Sequence, residues 1–289
     1  MNKIKINVLK KILDNLEINK GDNIYLGIDF FKTAKTIGEK KITSKKFVDL
    51  FLNYFLKRLG KKGNLIIPVF NFNCVGEKKF NQKTSAGQSG ALGNMLLKKY
   101  FYLRTDHPFY SFLCFGNKLN TYKKVKDINA TGKNSLWKYF IQDNFSLVTL
   151  GHHYSRSFTH VHYLESLSKV NYRYNKKFSL KYTNLNNKIS KKTYSFFARR
   201  KNICDFSGIT KKCDNFLIKQ NIAKFFKYKK FISFKLDIKS ASKIILDDLN
   251  KKYLNFFYYI NKNKKNTNVI SNKSILSLEK LYINKKSKK

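Results

Sequence analysis

An α/β fold, with helices layered on a sheet, is what this sequence predicts, and three observations carry the prediction. Segments with apolar residues at helical spacing alternate with short apolar runs of strand type through the first 170 residues, the pattern of a sheet with helices packed on it. The 289 residues are 42% hydrophobic and 16% aromatic, which suffices for a sizeable core and excludes a disordered basic chain. No internal repeat and no linker rich in Pro, Gly or Ser interrupts the pattern, so a single domain is expected over residues 1–260, followed by a Lys- and Asn-rich tail over 261–289.

Leu9, Ile12, Leu13 and Leu16 form the stripe of a first helix, Asn23 to Ile28 reads as a strand, and Phe47, Val48, Leu50, Phe51, Tyr54, Phe55 and Leu59 recur at helical spacing. A strand at Asn64 to Phe70, a helix around Ala91 to Tyr100, and strands near Ser111 to Phe115 and Leu147 to Leu150 follow. Beyond residue 175 the periodicity weakens. Tyr182 to Lys192 reads as a loop or hairpin tip, Phe196 to Leu217 and Ile222 to Phe234 as mixed segments, and Ser240 to Tyr259 as a helix. The tail from Asn261, with nine Lys against one Glu, is expected to be a solvated appendage with a short helix near Ser274 to Tyr282.

The net charge is +43, from 60 Lys and Arg against 17 Asp and Glu. Charge alone points to nucleic acid, and a Lys-rich nucleic-acid-binding module with 18 Tyr and 26 Phe as stacking platforms is the rival from another class. Yet only six basic residues are Arg (Arg58, Arg104, Arg156, Arg173, Arg199, Arg200), the side chain that reads bases and phosphates bidentately. The Lys are dispersed, as compositional drift would leave them, and no nucleic-acid partner is expected. No apolar run is long enough to span a membrane and the first twenty residues lack a signal-peptide core, so the cytoplasm is the expected location. The spacing of Cys74, Cys114, Cys204 and Cys213 fits reduced thiols and no zinc site.

All five histidines (His107, His152, His153, His160 and His162) fall between residues 107 and 162. Clustering of the side chain that titrates near neutral pH marks a site. Thr159, His162 and Glu165 are three residues apart, a spacing that shares one face in a helix. A carboxylate beside an imidazole orients it and raises its basicity, as a general base for an amine or hydroxyl requires. The same spacing serves metals in carboxylate-bridged helices, but no second pair and no His-Glu-x-x-His accompanies it, so no metal is expected. A second block, Arg104-Thr105-Asp106-His107-Pro108-Phe109-Tyr110-Ser111-Phe112, places His107 and Ser111 at a strand edge where α/β enzymes bind ligands. Gln88-Ser89-Gly90-Ala91-Leu92-Gly93 lacks the glycine fingerprint of a dinucleotide site and the Gly-Lys-Ser/Thr of a P-loop, and reads as a helix start. With no Gly-x-Ser-x-Gly and no cysteine beside a histidine, nucleophilic catalysis is poorly supported.

Through these blocks the sequence resembles the aminoglycoside 3-N-acetyltransferase family, over roughly residues 5 to 259. The matching segments are Gly21-Asp22 before a strand, Gly63 to Pro68 with Phe70, Gly90-Ala91-Leu92, Arg104 to Ser111 followed by Gly116, Leu150-Gly151, and Thr159 to Glu165 followed by Tyr172-Arg173. The resemblance implies an α/β/α layered mixed sheet and an acetyl-coenzyme A dependent N-acyltransferase, in which an imidazole paired with a carboxylate deprotonates an acceptor amine that attacks the thioester directly. Carried onto this chain, His162 would be the base, Glu165 its orienting partner or a second acceptor-side carboxylate, and Thr159 a hydrogen-bond donor to the thioester oxygen. His107 and Ser111 would line the coenzyme A side, and Arg104 would meet a coenzyme A phosphate.

The chain also departs from the family. A Val-His-Ser-Ser-Leu strand end that helps bind coenzyme A is Leu26-Gly27-Ile28-Asp29-Phe30 here, Pro-Thr-Phe-Thr is Pro68-Val69-Phe70-Asn71, and a carboxylate after Gly-Ala-Leu gives way to Asn94 or a neighbour. Lost acidity and a net charge of +43 disfavour polycations, so the expected acceptor is a nucleotide-linked amino sugar or polysaccharide precursor, with an aminoglycoside as the alternative. A homodimer is left open.

Overall fold

A computed structural model describes residues 3–38, 45–204, 206–251, 256–260 and 282–283. The first half of the chain runs α1 (Lys3–Asn15), β1 (Asn23–Ile28), α2 (Phe30–Thr36), α3 (Lys45–Leu59), β2 (Asn64–Pro68), α4 (Cys74–Glu77), β3 (Lys79–Asn81), α5 (Ala91–Tyr100), β4 (Phe112–Gly116), α6 (Leu119–Lys123), α7 (Trp137–Gln142) and β5 (Phe145–Leu150). The second runs α8 (Val161–Leu167), β6 (Arg173–Thr183), β7 (Ile189–Arg199), β8 (Phe206–Ile209), α9 (Lys211–Lys219), β9 (Ala223–Tyr228), β10 (Phe231–Asp237), α10 (Ile238–Lys251) and β11 (Phe257–Ile260).

The main sheet is mixed, in the order β4-β2-β1-β5-β10-β9. β1 is parallel to β2 and β5, and the outer pairings are antiparallel. Side chains alternate between two cores as strand geometry requires. Ile24, Leu26, Leu65, Ile67, Val148 and Leu150 face the helices α1, α2, α3 and α5, whereas Tyr25, Ile66 and Leu147 face a second core that holds Trp137, Phe140, Leu164 and Ile245. Helices therefore cover both faces, which is the expected α/β/α layering. β5 lies centrally between β1 and β10, so the loop leaving its C-terminal end emerges over the middle of the sheet.

The weakly periodic region is a second sheet. β6 and β7 pair in full register from Arg173↔Arg199 to Thr183↔Ile189, with β3 parallel to the end of β6. These strands expose Lys and Asn on much of both faces, so no alternation of hydrophobicity announces them. The expected helix over Ser240 to Tyr259 ends earlier: α10 stops at Lys251, and Phe257–Ile260 pairs antiparallel with β8.

The tail also differs from expectation where it is described. Tyr282 is no part of a solvated appendage: it is buried against His153, Phe225 and Phe234, and its hydroxyl donates to Asp214 Oδ2 at 2.7 Å. That carboxylate also accepts from Tyr154 at 2.7 Å and lies 3.1 Å from His153 Nε2. A buried carboxylate needs such donors to stay charged, and one comes from the far end of the chain. The expected helix over Ser274 to Tyr282 otherwise lies outside the described residues.

Candidate active site

The loop after β5 turns at Gly151, whose φ of +91° suits a residue without a side chain. His153 then caps a short 3₁₀ turn by accepting from Ser155 N, and Ser157 to His160 lead into α8. α8 buries Val161, Leu164 and Glu165. His162 stays 26% exposed on the same side as Glu165, whose carboxylate is wholly buried.

His162 Nδ1 lies 2.7 Å from Glu165 Oε2. An ionised carboxylate only accepts, so Nδ1 carries the proton and Nε2 keeps its lone pair; among the described residues no hydrogen bond occupies Nε2. Glu165 is held from two further directions: Tyr172 donates its hydroxyl to Oε1 at 3.0 Å, and Arg173 Nε lies 2.7 Å from Oε2. Burial pushes the Glu165 carboxyl up, but His162 and Arg173 outweigh it and hold the group below its usual range. Burial, together with Arg173 and Arg199, outweighs Glu165 at the imidazole and holds His162 below its ordinary value. A neutral imidazole with an outward lone pair can take a proton at neutral pH.

Thr159 stands differently from the expectation of a shared helical face. It precedes α8 in a turn, and its carbonyl accepts from His162 N at 3.0 Å. It adjoins the His162 turn, near the Tyr25 phenol on β1.

The second block is corrected by the structure. Arg104 is completely buried: Nε donates to Ser111 Oγ at 3.0 Å, Nη1 to the Ser85 carbonyl at 2.6 Å and Nη2 to the Val69 carbonyl at 2.9 Å, with the guanidinium over the Phe80 ring. Ser111 is equally buried and donates to the Val69 carbonyl at 2.6 Å. Neither can meet a coenzyme A phosphate from these positions, because every polar atom is turned into the chain. The His107 ring packs between Phe109 and Tyr194 with Nε2 buried, and burial pushes its pKa down to about 4. It stays neutral and enclosed.

The other histidines divide by burial. His160 is fully buried, stacked on Phe140 and 3.1 Å from Ser242 Oγ, and burial pushes its pKa down to about 3. His153 belongs to the Asp214 cluster. His152 is half-buried, with Nε2 3.4 Å from Ser157 Oγ. Ser157 softens one departure noted above: a Cβ on Gly27 would come within 2.3 Å of Ser157 Oγ, so a hydroxyl from the loop after β5 occupies the space that Gly27 leaves. Nucleophilic alternatives recede, because all four cysteines are buried and burial pushes the thiols of Cys74 and Cys213 up to about 12. Among the described residues no group of three potential ligands could hold a metal ion.

His107 and His160 predict an acid-sensitive fold. Their folded pKa values lie below the unfolded imidazole value of about 6.5, so the unfolded chain binds more protons between about pH 4 and 6. Stability is full above that window and falls with pH inside it, by about 2.7 kcal/mol per pH unit for two protons. Denaturant midpoints from pH 6 to 4.5 should show this slope; a flat profile would contradict the buried neutral state of both rings.

Sequence reading placed the His162–Glu165 pair and missed the groups around it. Tyr172 and Arg173 stood in the matched segments without a role, and their adjacency a few residues beyond Glu165 was the available signal. Tyr25 and Ser157 carried none, since their positions depend on β1 and the loop after β5 meeting in space.

The family model of aminoglycoside 3-N-acetyltransferase matches residues 35–225. No curated protein matches the sequence. Among solved structures, aminoglycoside acetyltransferase AAC(3)-IIb is similar at 14% identity, with a TM-score of 0.68 over 85% of this chain and 96% of that one. AAC-IIIb, in a binary complex with CoASH, is similar at 13% identity and TM-score 0.67, over 86% and 96%. Sisomicin-bound AAC-VIa gives 13% and 0.67, over 86% and 98%. The chain belongs to the aminoglycoside 3-N-acetyltransferase family, whose members are acetyltransferases.

Proposed function

We propose that the protein moves an acetyl group from acetyl-coenzyme A to an amine of an aminoglycoside-type amino sugar, with His162 as the base. The observation that carries this reading is the His162–Glu165 pair, an imidazole tethered through Nδ1 at 2.7 Å with its other nitrogen unoccupied. Nε2 takes a proton from the amine as the amine nitrogen closes on the thioester carbon. The C–S bond then breaks, and the proton held on His162 passes to the departing thiolate, leaving an amide and coenzyme A.

A relative solved with CoASH supports the donor, and one solved with sisomicin supports the acceptor class. The backbone at Gly90, where an added Cβ would meet only the Ile28 carbonyl at 3.8 Å, leaves room for a donor beside the end of β1. The sequence-based preference for a nucleotide-linked acceptor rested on net charge, and that field is screened beyond about 8 Å at physiological salt. Family membership outweighs it. Incubation with acetyl-coenzyme A and panels of aminoglycosides and nucleotide-linked amino sugars, read by product mass, should give acetylated aminoglycosides. Turnover confined to nucleotide-linked amino sugars would overturn the acceptor assignment.

A further inference from the structure

The Glu165 carboxylate has more positive partners than a histidine-orienting group needs. It is wholly buried; its Oε2 accepts from His162 Nδ1 at 2.7 Å and is ion-paired with Arg173, whose Nε lies 2.7 Å away, while Tyr172 donates to Oε1 at 3.0 Å. Arg173 is itself fixed: it is 6% exposed, Nη2 donates to Ser207 Oγ at 2.8 Å, and Nη1 donates to the Phe197 carbonyl at 3.2 Å. The guanidinium is thus locked by β7 and β8 against the carboxylate on α8.

Consider the pair without Arg173. A buried carboxylate needs a counter-charge, and among the described residues the only one left in contact with it would be the imidazolium of His162. The dyad would then hold a proton as a His⁺–Glu⁻ ion pair, and an imidazolium cannot act as a base. We propose that Arg173 is a positioning residue that supplies this counter-charge permanently, so that Glu165 can orient His162 through Nδ1 without drawing a proton onto Nε2. The inference rests on the reading of His162 as the base and adds the reason it stays unprotonated.

The groups that face His162 agree with this assignment. Among the described residues Glu165 on α8 is the one carboxylate in contact, Arg173 on β6 and Arg199 on β7 are cationic, and the Tyr172 and Tyr110 phenols near Glu165 are held neutral by burial. With Arg173 in place the two arginines outnumber the carboxylate.

The test is an NMR titration of His162 in the full chain, which reads the imidazole whether or not acetyl transfer is observed. In the wild type His162 should titrate below about 6.5. Arg173→Met should move that titration up by about one pH unit or more, with the rising limb of kcat/KM moving equally and activity returning at high pH. Arg173→Lys, which keeps the charge and loses the fork, should move it less than Arg173→Met. A wild-type titration above 7, or an Arg173→Met titration unchanged or lower, would overturn the proposal; the wild-type reading decides even where Arg173→Met does not fold. A His162 that titrates as expected in a chain without acetyltransferase activity would locate the failure in the functional reading and leave the Arg173 assignment standing.

Discussion

Replacing His162 by Ala should lower kcat on the order of 10²- to 10⁴-fold while leaving the protein folded. The size follows from removing the group proposed to accept the amine proton. The intact fold follows from the geometry around Glu165: without the imidazole, the buried carboxylate keeps Tyr172 at 3.0 Å and Arg173 at 2.7 Å, so no charge is orphaned. The deleted ring was 26% exposed and contributed little to the core. Initial rates and melting temperatures on the same preparation decide the matter. A folded His162→Ala protein with near-wild-type kcat would remove His162 from the chemistry.

Arg104→Met should produce the largest loss of stability, about 3–5 kcal/mol. The side chain is completely buried and binds the Ser85 and Val69 carbonyls together with Ser111, tying β2, the segment before α5 and the start of β4 into one unit. Burial pushes its pKa down to about 9, which leaves it charged at neutral pH. Met restores the volume but none of the donors, and the carbonyls would stay buried with too few partners. A drop in denaturant midpoint matching that loss is expected. An unchanged midpoint with weakened coenzyme A binding would restore the phosphate-binding role read from the sequence.

That reversal shows where sequence reading reached and where it stopped. The layered sheet was legible because β1, β2 and β5 are short, apolar and flanked by helical stripes, so periodicity alone separates strand from helix. Of the β6–β7 ribbon only the turn was legible, within the loop or hairpin tip expected over Tyr182 to Lys192; its strands are polar on much of both faces and show no alternation. Within the site, His162 and Glu165 could be paired from spacing, since one helix holds both. Arg104, Ser111 and His107 share one sequence block, but proximity in sequence carries no information on burial. In the structure the block is the packing between the two sheets, and its polar groups are satisfied inside the chain. Arg173 and Ser157 matter through contacts across separate elements, which no local pattern encodes.

Direct transfer without an acyl-enzyme is the central proposal: His162 is paired with Glu165, and all four cysteines are buried. The decisive measurement is coenzyme A thiol release at saturating acetyl-coenzyme A, with and without an aminoglycoside acceptor, together with the intact mass of the protein. Thiol release that requires the acceptor, equals the amide formed and leaves the protein mass unchanged is the predicted result. A burst of thiol without acceptor, with an acetyl group remaining on the chain, would contradict it.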